Sequence, residues 1–105
     1  MRDKDRSVAL ELKNRLAGFV QLVDFSVFGS RARGDAAEDS DLDVFVEVET
    51  LDKGVKERIQ DITWGVGFEN FRVISPLIFT RDEIENSPLR SSSVVRAIAE
   101  EGLRI

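Results

Sequence analysis

Asp41 and Asp43 flank Leu42 at the start of Asp41-Leu42-Asp43-Val44-Phe45-Val46-Glu47-Val48, a run with the alternation of an extended strand. Successive strand side chains point to opposite faces, so Asp41 and Asp43 share one face while Leu42, Val44, Val46 and Val48 share the other. Two carboxylates so close repel each other unless a cation lies between them, which makes the pair half of a metal site. Upstream, the apolar run Leu22 to Phe28 ends in Gly29-Ser30. Gly29 lets the backbone approach a ligand, and the Ser30 hydroxyl with neighbouring N–H groups suits phosphate oxygens. Arg31 and Arg33 add positive charge beside them. Phosphate on one side and Mg²⁺ on the other is the layout of a nucleoside triphosphate site. Taken singly, Gly-Ser is an ordinary turn and Asp-x-Asp an ordinary solvated strand end.

The combination resembles the signature of the minimal nucleotidyltransferases, the smallest members of the DNA polymerase β superfamily. Gly29-Ser30, ten residues, then Asp41-Leu42-Asp43 match it, as do the intervening Arg31-Ala32-Arg33-Gly34 and Ser40. The resemblance runs from the first helix to about Phe79 and is specific for the superfamily more than for a substrate. It implies a polymerase β-like α/β (α+β) fold, a small mixed sheet of about three strands flanked by helices. It implies Asp41 and Asp43 as catalytic, Mg²⁺- or Mn²⁺-binding residues. Gly29, Ser30, Arg31, Arg33 and Ser40 are then the nucleotide- and phosphate-binding set, with ATP as substrate. Many minimal nucleotidyltransferases are antitoxins paired with an HEPN-domain toxin whose tyrosine they adenylylate, so the resemblance points to a protein acceptor.

Composition narrows the chemistry. At 105 residues the chain reads as one domain over residues 1–105, with 42% hydrophobic and 33% charged residues. It has no cysteine and no histidine, which excludes disulfides, thiolate sites and imidazole chemistry. A metal here is bound by oxygen and is a hard cation. Met1-Arg2-Asp3-Lys4-Asp5-Arg6 is charged, with no apolar targeting segment and no long apolar span after it, so the expected location is cytoplasmic with no membrane contact. The net charge of −5 argues against general nucleic-acid binding.

Several elements must position these residues. Residues 3–17 read as an amphipathic helix, with Val8, Leu12, Leu16 and Phe19 inward, Lys4, Asp5, Glu11, Lys13 and Arg15 outward, and Gly18 as stop. Leu22 to Phe28 is the first strand, in which Asp24 faces either the sheet edge or the site. The polar connection from Ser30 to Ser40 holds one helical turn and is short enough for antiparallel pairing with the second strand, Leu42 to Val48. Thr50 caps a second helix with the stripe Leu51, Val55, Ile59, Ile62 and Val66, and Trp64 is a core or rim anchor. A third strand, Phe71 to Phe79, lies parallel to the second, with Pro76 marking an edge or a bulge. Thr80 and Glu83 form a capping box, and Ser87-Pro88 begins a last helix with Val94, Val95, Ile98 and Ala99 inward and Gly102 as stop.

The superfamily places a third acidic residue on the next strand. Phe71-Arg72-Val73-Ile74-Ser75-Pro76-Leu77-Ile78 has none, and Ser75 stands about where it is expected. Glu47 is a poor substitute, about 13 Å from Asp43 along the strand. Two carboxylates and substrate phosphates suffice for one Mg²⁺, whereas a second is less supported. The expected function is transfer of AMP from ATP to a hydroxyl on a partner. The alternative is a weakly active or inactive antitoxin or binding module that masks its partner. A homo-oligomer stays open.

Overall fold

In a computed structural model, which describes residues 1–37 and 39–105, the chain alternates helices and strands. Helix α1 (Asp3–Ala17) leads to β1 (Leu22–Phe28), the short α2 (Gly29–Arg33) and β2 (Leu42–Val48). Then come α3 (Lys53–Glu69), β3 (Ile74–Thr80), α4 (Arg81–Asn86), a 3-10 turn (Pro88–Ser91), α5 (Ser93–Glu101) and β4 (Leu103–Arg104). The four strands form one mixed sheet in the order β3-β2-β1-β4. As expected, β1 pairs antiparallel with β2, while β3 lies parallel to β2 after the α3 crossover. The fourth strand was not foreseen: two residues are too few for a periodic signal, and β4 is held by pairing Ser26 with Arg104 and Val27 with Leu103.

The core lies between one sheet face and helices α1 and α3. Leu42, Val44, Val46 and Val48, the residues that alternation assigns to the apolar face, are each 0% exposed. Val8, Leu12 and Leu16 of α1 and Ile59 and Val66 of α3 pack against them. Full burial of each such side chain contributes about 1.5–3 kcal/mol before chain entropy is charged.

Asp5 departs from the sequence reading, because it is 1% exposed rather than on the wet side of α1. Positions 5, 8, 12 and 16 are three and four apart and form one stripe. Buried there, the Asp5 carboxylate faces two guanidiniums, Arg31 at 3.3 Å and Arg72 at 3.1 Å. This knot ties α1 to α2 and to the segment entering β3.

Helix boundaries show where local chemistry outweighed the expectation. Asp52, not Thr50, caps α3, accepting a hydrogen bond from the Val55 N–H at 2.8 Å. Aspartate is the stronger capping residue, and it sits directly before the first helical turn. The third strand begins at Ile74 rather than Phe71, since α3 continues to Glu69 and the chain turns back over Gly67. A Cβ on Gly67 would lie 2.5 Å from the Arg72 carbonyl oxygen, so this tight return needs glycine. Phe71 takes a left-handed φ of 56° in the same turn. Trp64 is no core anchor: it is 70% exposed and stacks on the equally exposed Phe68. The last helix starts late, because Pro88–Ser91 forms the 3-10 turn and Ser92 caps α5 by accepting from the Val95 N–H.

Pro76 sits in edge strand β3, as its missing donor demands. The Leu42 N–H donates to the Val73 carbonyl, so odd-numbered residues of this segment turn their polar groups toward β2. Even-numbered ones, Pro76 among them, turn theirs to the open edge.

Candidate functional site

The second sheet face carries the chemistry. Cross-strand register aligns Phe28, Asp43 and Ser75 in one row, Ser26, Phe45 and Leu77 in the next, and Asp24, Glu47 and Phe79 in a third. Directly opposed residues share a face, so Ser75 occupies the position beside Asp43 on β3. Asp41 lies just before the row, and the Ser75 hydroxyl donates to its Oδ2 at 2.8 Å.

Gly29 and Asp43 meet closely. Gly29 has a φ of +74°, and a Cβ there would fall 2.6 Å from Asp43 Oδ2. The absence of that Cβ allows the bend at the end of β1 to press against the carboxylate opening β2. Ser30 follows in the first turn of α2, half-buried, where backbone N–H groups lack intrahelical acceptors. Asp43 is half-buried as well, while Asp41 is exposed. Partial burial, and secondly the neighbouring Asp41 charge, hold the Asp43 carboxyl above the usual aspartate range. That is the electrostatic state a bound cation relieves.

The arginines do not join this cleft as the sequence suggested. Arg31 is 2% exposed and turns inward to Asp5, and its Nε and Nη2 donate to the Ser40 carbonyl oxygen at 3.1 and 2.8 Å. Its guanidinium is therefore a brace: it holds the end of the connection one residue before Asp41. The signal for this role was Asp5 in the apolar stripe of α1, a buried acid that required a cation. Arg33 is half exposed and pairs with Asp35 at 3.4 Å and Glu101 at 3.6 Å. Ser40 is fixed through its main chain by Arg31. Asp24, left open between edge and site, pairs with Arg104 of β4. Gly29, Ser30, Asp41 and Asp43 are thus together, with Ser75 in contact, whereas Arg31 is turned into the interior and Arg33 pairs with surface acids.

The donor set suits a hard cation. Asp41 and Asp43 offer carboxylate oxygens, and Asp43 is destabilised in its charged form until countercharge arrives. Among the described residues no group of three or more acidic, histidine or cysteine side chains surrounds a common point, in keeping with serine at position 75.

Comparison with known proteins fits this geometry. Curated protein sequences give no match. Among solved structures, a chain from a toxin–antitoxin complex with AMP-PNP superimposes with a TM-score of 0.62 at 19% identity, covering 98% of this chain and 72% of that one. A chain from the toxin–antitoxin pair MntA–HpeT gives 0.60 at 17% identity over 95% and 70%. One from the tri-AMPylated Shewanella oneidensis HEPN toxin in complex with MNT antitoxin gives 0.53 at 17% over 96% and 67%. At such identities these likenesses speak for the fold. A sequence profile described as nucleotidyltransferase domain matches residues 9–105. With that match spanning nearly the whole chain, and glycine, serine and paired aspartates converging on one sheet face, this protein belongs to the nucleotidyltransferase domain family.

Proposed function

We propose that this chain transfers AMP from ATP to a hydroxyl on a partner protein, an HEPN-type toxin, as the antitoxin of a toxin–antitoxin pair. The observation that carries the reading is the packing of Gly29 against Asp43, which sets the bend after β1, proposed to bind phosphate, beside the aspartates proposed to bind metal. Fold neighbours that are toxin–antitoxin complexes, one with AMP-PNP and one with an AMPylated toxin, support the choice of nucleotide and acceptor. Action in the cytoplasm is part of this reading, and no helix among the described residues is long and apolar enough to cross a membrane.

In this reading Asp41 and Asp43 hold Mg²⁺ or Mn²⁺, which when bound neutralises phosphate charge during in-line displacement. Gly29 and Ser30 grip the terminal phosphates through backbone N–H groups and the serine hydroxyl. The hydroxyl of the acceptor attacks the α-phosphorus, its proton passes to solvent or to a base on the partner, and pyrophosphate leaves. Ser75 orients Asp41 through its hydrogen bond. Arg31 braces the residue before Asp41 through the Ser40 carbonyl.

The serine at position 75 favours a second reading, in which the chain is a weakly active or inactive module that masks its partner. Radiolabelled ATP, Mg²⁺ and the partner separate the two. Label on the partner, abolished in Asp41→Asn and Asp43→Asn, is expected for the enzyme. Absence of transfer, with partner binding unchanged in both variants, would establish the masking module.

A further inference from the structure

Four residues beyond Asp43, on the same sheet face, Glu47 is 7% exposed and has neither a hydrogen-bond nor an ion-pair partner among the described residues. It lines a cavity of about 360 Å³ between the sheet and helices α4 and α5, within the size range of ligand pockets. Directly across the β1–β2 ladder stands Asp24. Like charges directly opposite one another destabilise a sheet. Asp24 has its remedy: Arg104 reaches it with Nε at 3.2 Å and Nη2 at 3.3 Å, a two-pronged guanidinium contact. Glu47 has no such contact. Arg104 and Arg81 act on it only through space, since Arg104 is forked onto Asp24 and Arg81 is drawn to Glu49 and Glu85, while Asp24 and Glu85 add negative charge.

The cavity's chemistry selects the missing cation. A divalent metal needs several oxygen ligands, and here Asp24 is already taken by Arg104 while Phe45, Ile84, Val95 and Ile98 supply apolar wall. A mixed cavity with an aromatic wall and an unpaired carboxylate suits a planar organic cation on an aliphatic stem, which stacks on the ring and forks onto the acid. Arg104 makes the forked contact, without the stacking, on Asp24 one strand away. We infer that the Glu47 cavity is a guanidinium pocket that receives an arginine side chain of the partner protein, beside the cleft where its hydroxyl reacts. The identity of that partner as the acceptor rests on the nucleotidyl-transfer reading; the pocket's preference for a guanidinium does not.

Two-dimensional amide NMR on the whole chain tests this, with N-acetyl-arginine methylamide as the probe. The expected result is saturable shifts at Phe45, Ala99 and Gly102, absent with the neutral isostere N-acetyl-citrulline methylamide and weaker with the lysine analogue. Glu47→Gln should weaken binding by on the order of tenfold or more, the weight of a charge-assisted hydrogen bond. Glu47→Asp, which keeps the charge but shortens the reach, should give a smaller loss and guards against a folding artefact. Ethylguanidinium separates a protein source from a free small molecule: tighter binding than the blocked arginine would overturn the partner assignment. Equal shifts with citrulline, or unchanged affinity in Glu47→Gln, would overturn the pocket. Asp41→Asn with Asp43→Asn should leave arginine binding intact while removing nucleotide binding, so the two proposals fail separately.

Discussion

Replacing Arg31 with methionine distinguishes a brace from a phosphate ligand. The side chain is 2% exposed and faces Asp5, itself 1% exposed. Removing one partner of a buried pair costs about 3–5 kcal/mol, because the remaining charge stays buried. Arg72 still faces Asp5 at 3.1 Å after the change, which places the loss near the lower end, about 3 kcal/mol. For a domain of this size that amounts to a fall in melting temperature of roughly 12–15 °C. Far-UV circular dichroism is the appropriate readout, since Trp64 is 70% exposed and a poor reporter of the core. Combining Arg31→Met with Asp5→Asn should cost less than the sum of the single changes, as expected for groups in contact. A variant that melts within about 3 °C of the wild type, well below the predicted shift, yet loses ATP affinity, would refute the reasoning and return Arg31 to the phosphates.

Asp43→Asn should stabilise the metal-free protein at neutral pH by a few tenths of a kcal/mol while abolishing Mg²⁺-dependent ATP binding, as seen by thermal melts and calorimetry. The sign follows from the raised carboxyl: the folded state holds that proton more tightly, so wild-type stability falls as pH rises from the ordinary aspartate value of 3.8 through the elevated one, and the variant lacks this component. Gly29→Ala must tolerate a φ of +74° and a 2.6 Å approach to Asp43, so denaturant titration should show a loss of about 1–3 kcal/mol, accompanied by loss of metal-dependent nucleotide binding. Ser75→Asp places a third acid in the Asp43 row; its metal-free melting temperature should fall and its rise on adding Mg²⁺ should exceed that of the wild type. An unchanged response to Mg²⁺ would show that position 75 does not border the metal.

Much of the cleft was legible because strand alternation is a strict rule. Spacing alone assigned Asp41 and Asp43 to one face and the short polar connection to an antiparallel pair; β1 and β2 do pair antiparallel, and Ser75, level with Asp43, also meets Asp41. The parallel third strand and Pro76 at the edge were equally readable from the intervening helix and the missing donor. The direction of Arg31 was misread because charge beside a motif says nothing of where a side chain points. Arg31 turns away from the cleft toward a carboxylate distant in sequence, and that partnership exists only after α1 packs on the sheet. Likewise β4, too short for any period, depends on tertiary pairing. Trp64 looked like an anchor by type, yet its place on α3 lies off the buried stripe through Ile59, Thr63 and Val66.

Pro76 has one more effect. It leaves the outer margin of β3 without a donor midway along its length, and the opposite margin, β4, offers only a two-residue rung. Both features blunt the borders as templates for an incoming strand, one of the ways sheets are guarded against edge-on polymerisation. What the domain offers for contact is instead side chains on its faces and flanking helices, such as the exposed Trp64–Phe68 stack.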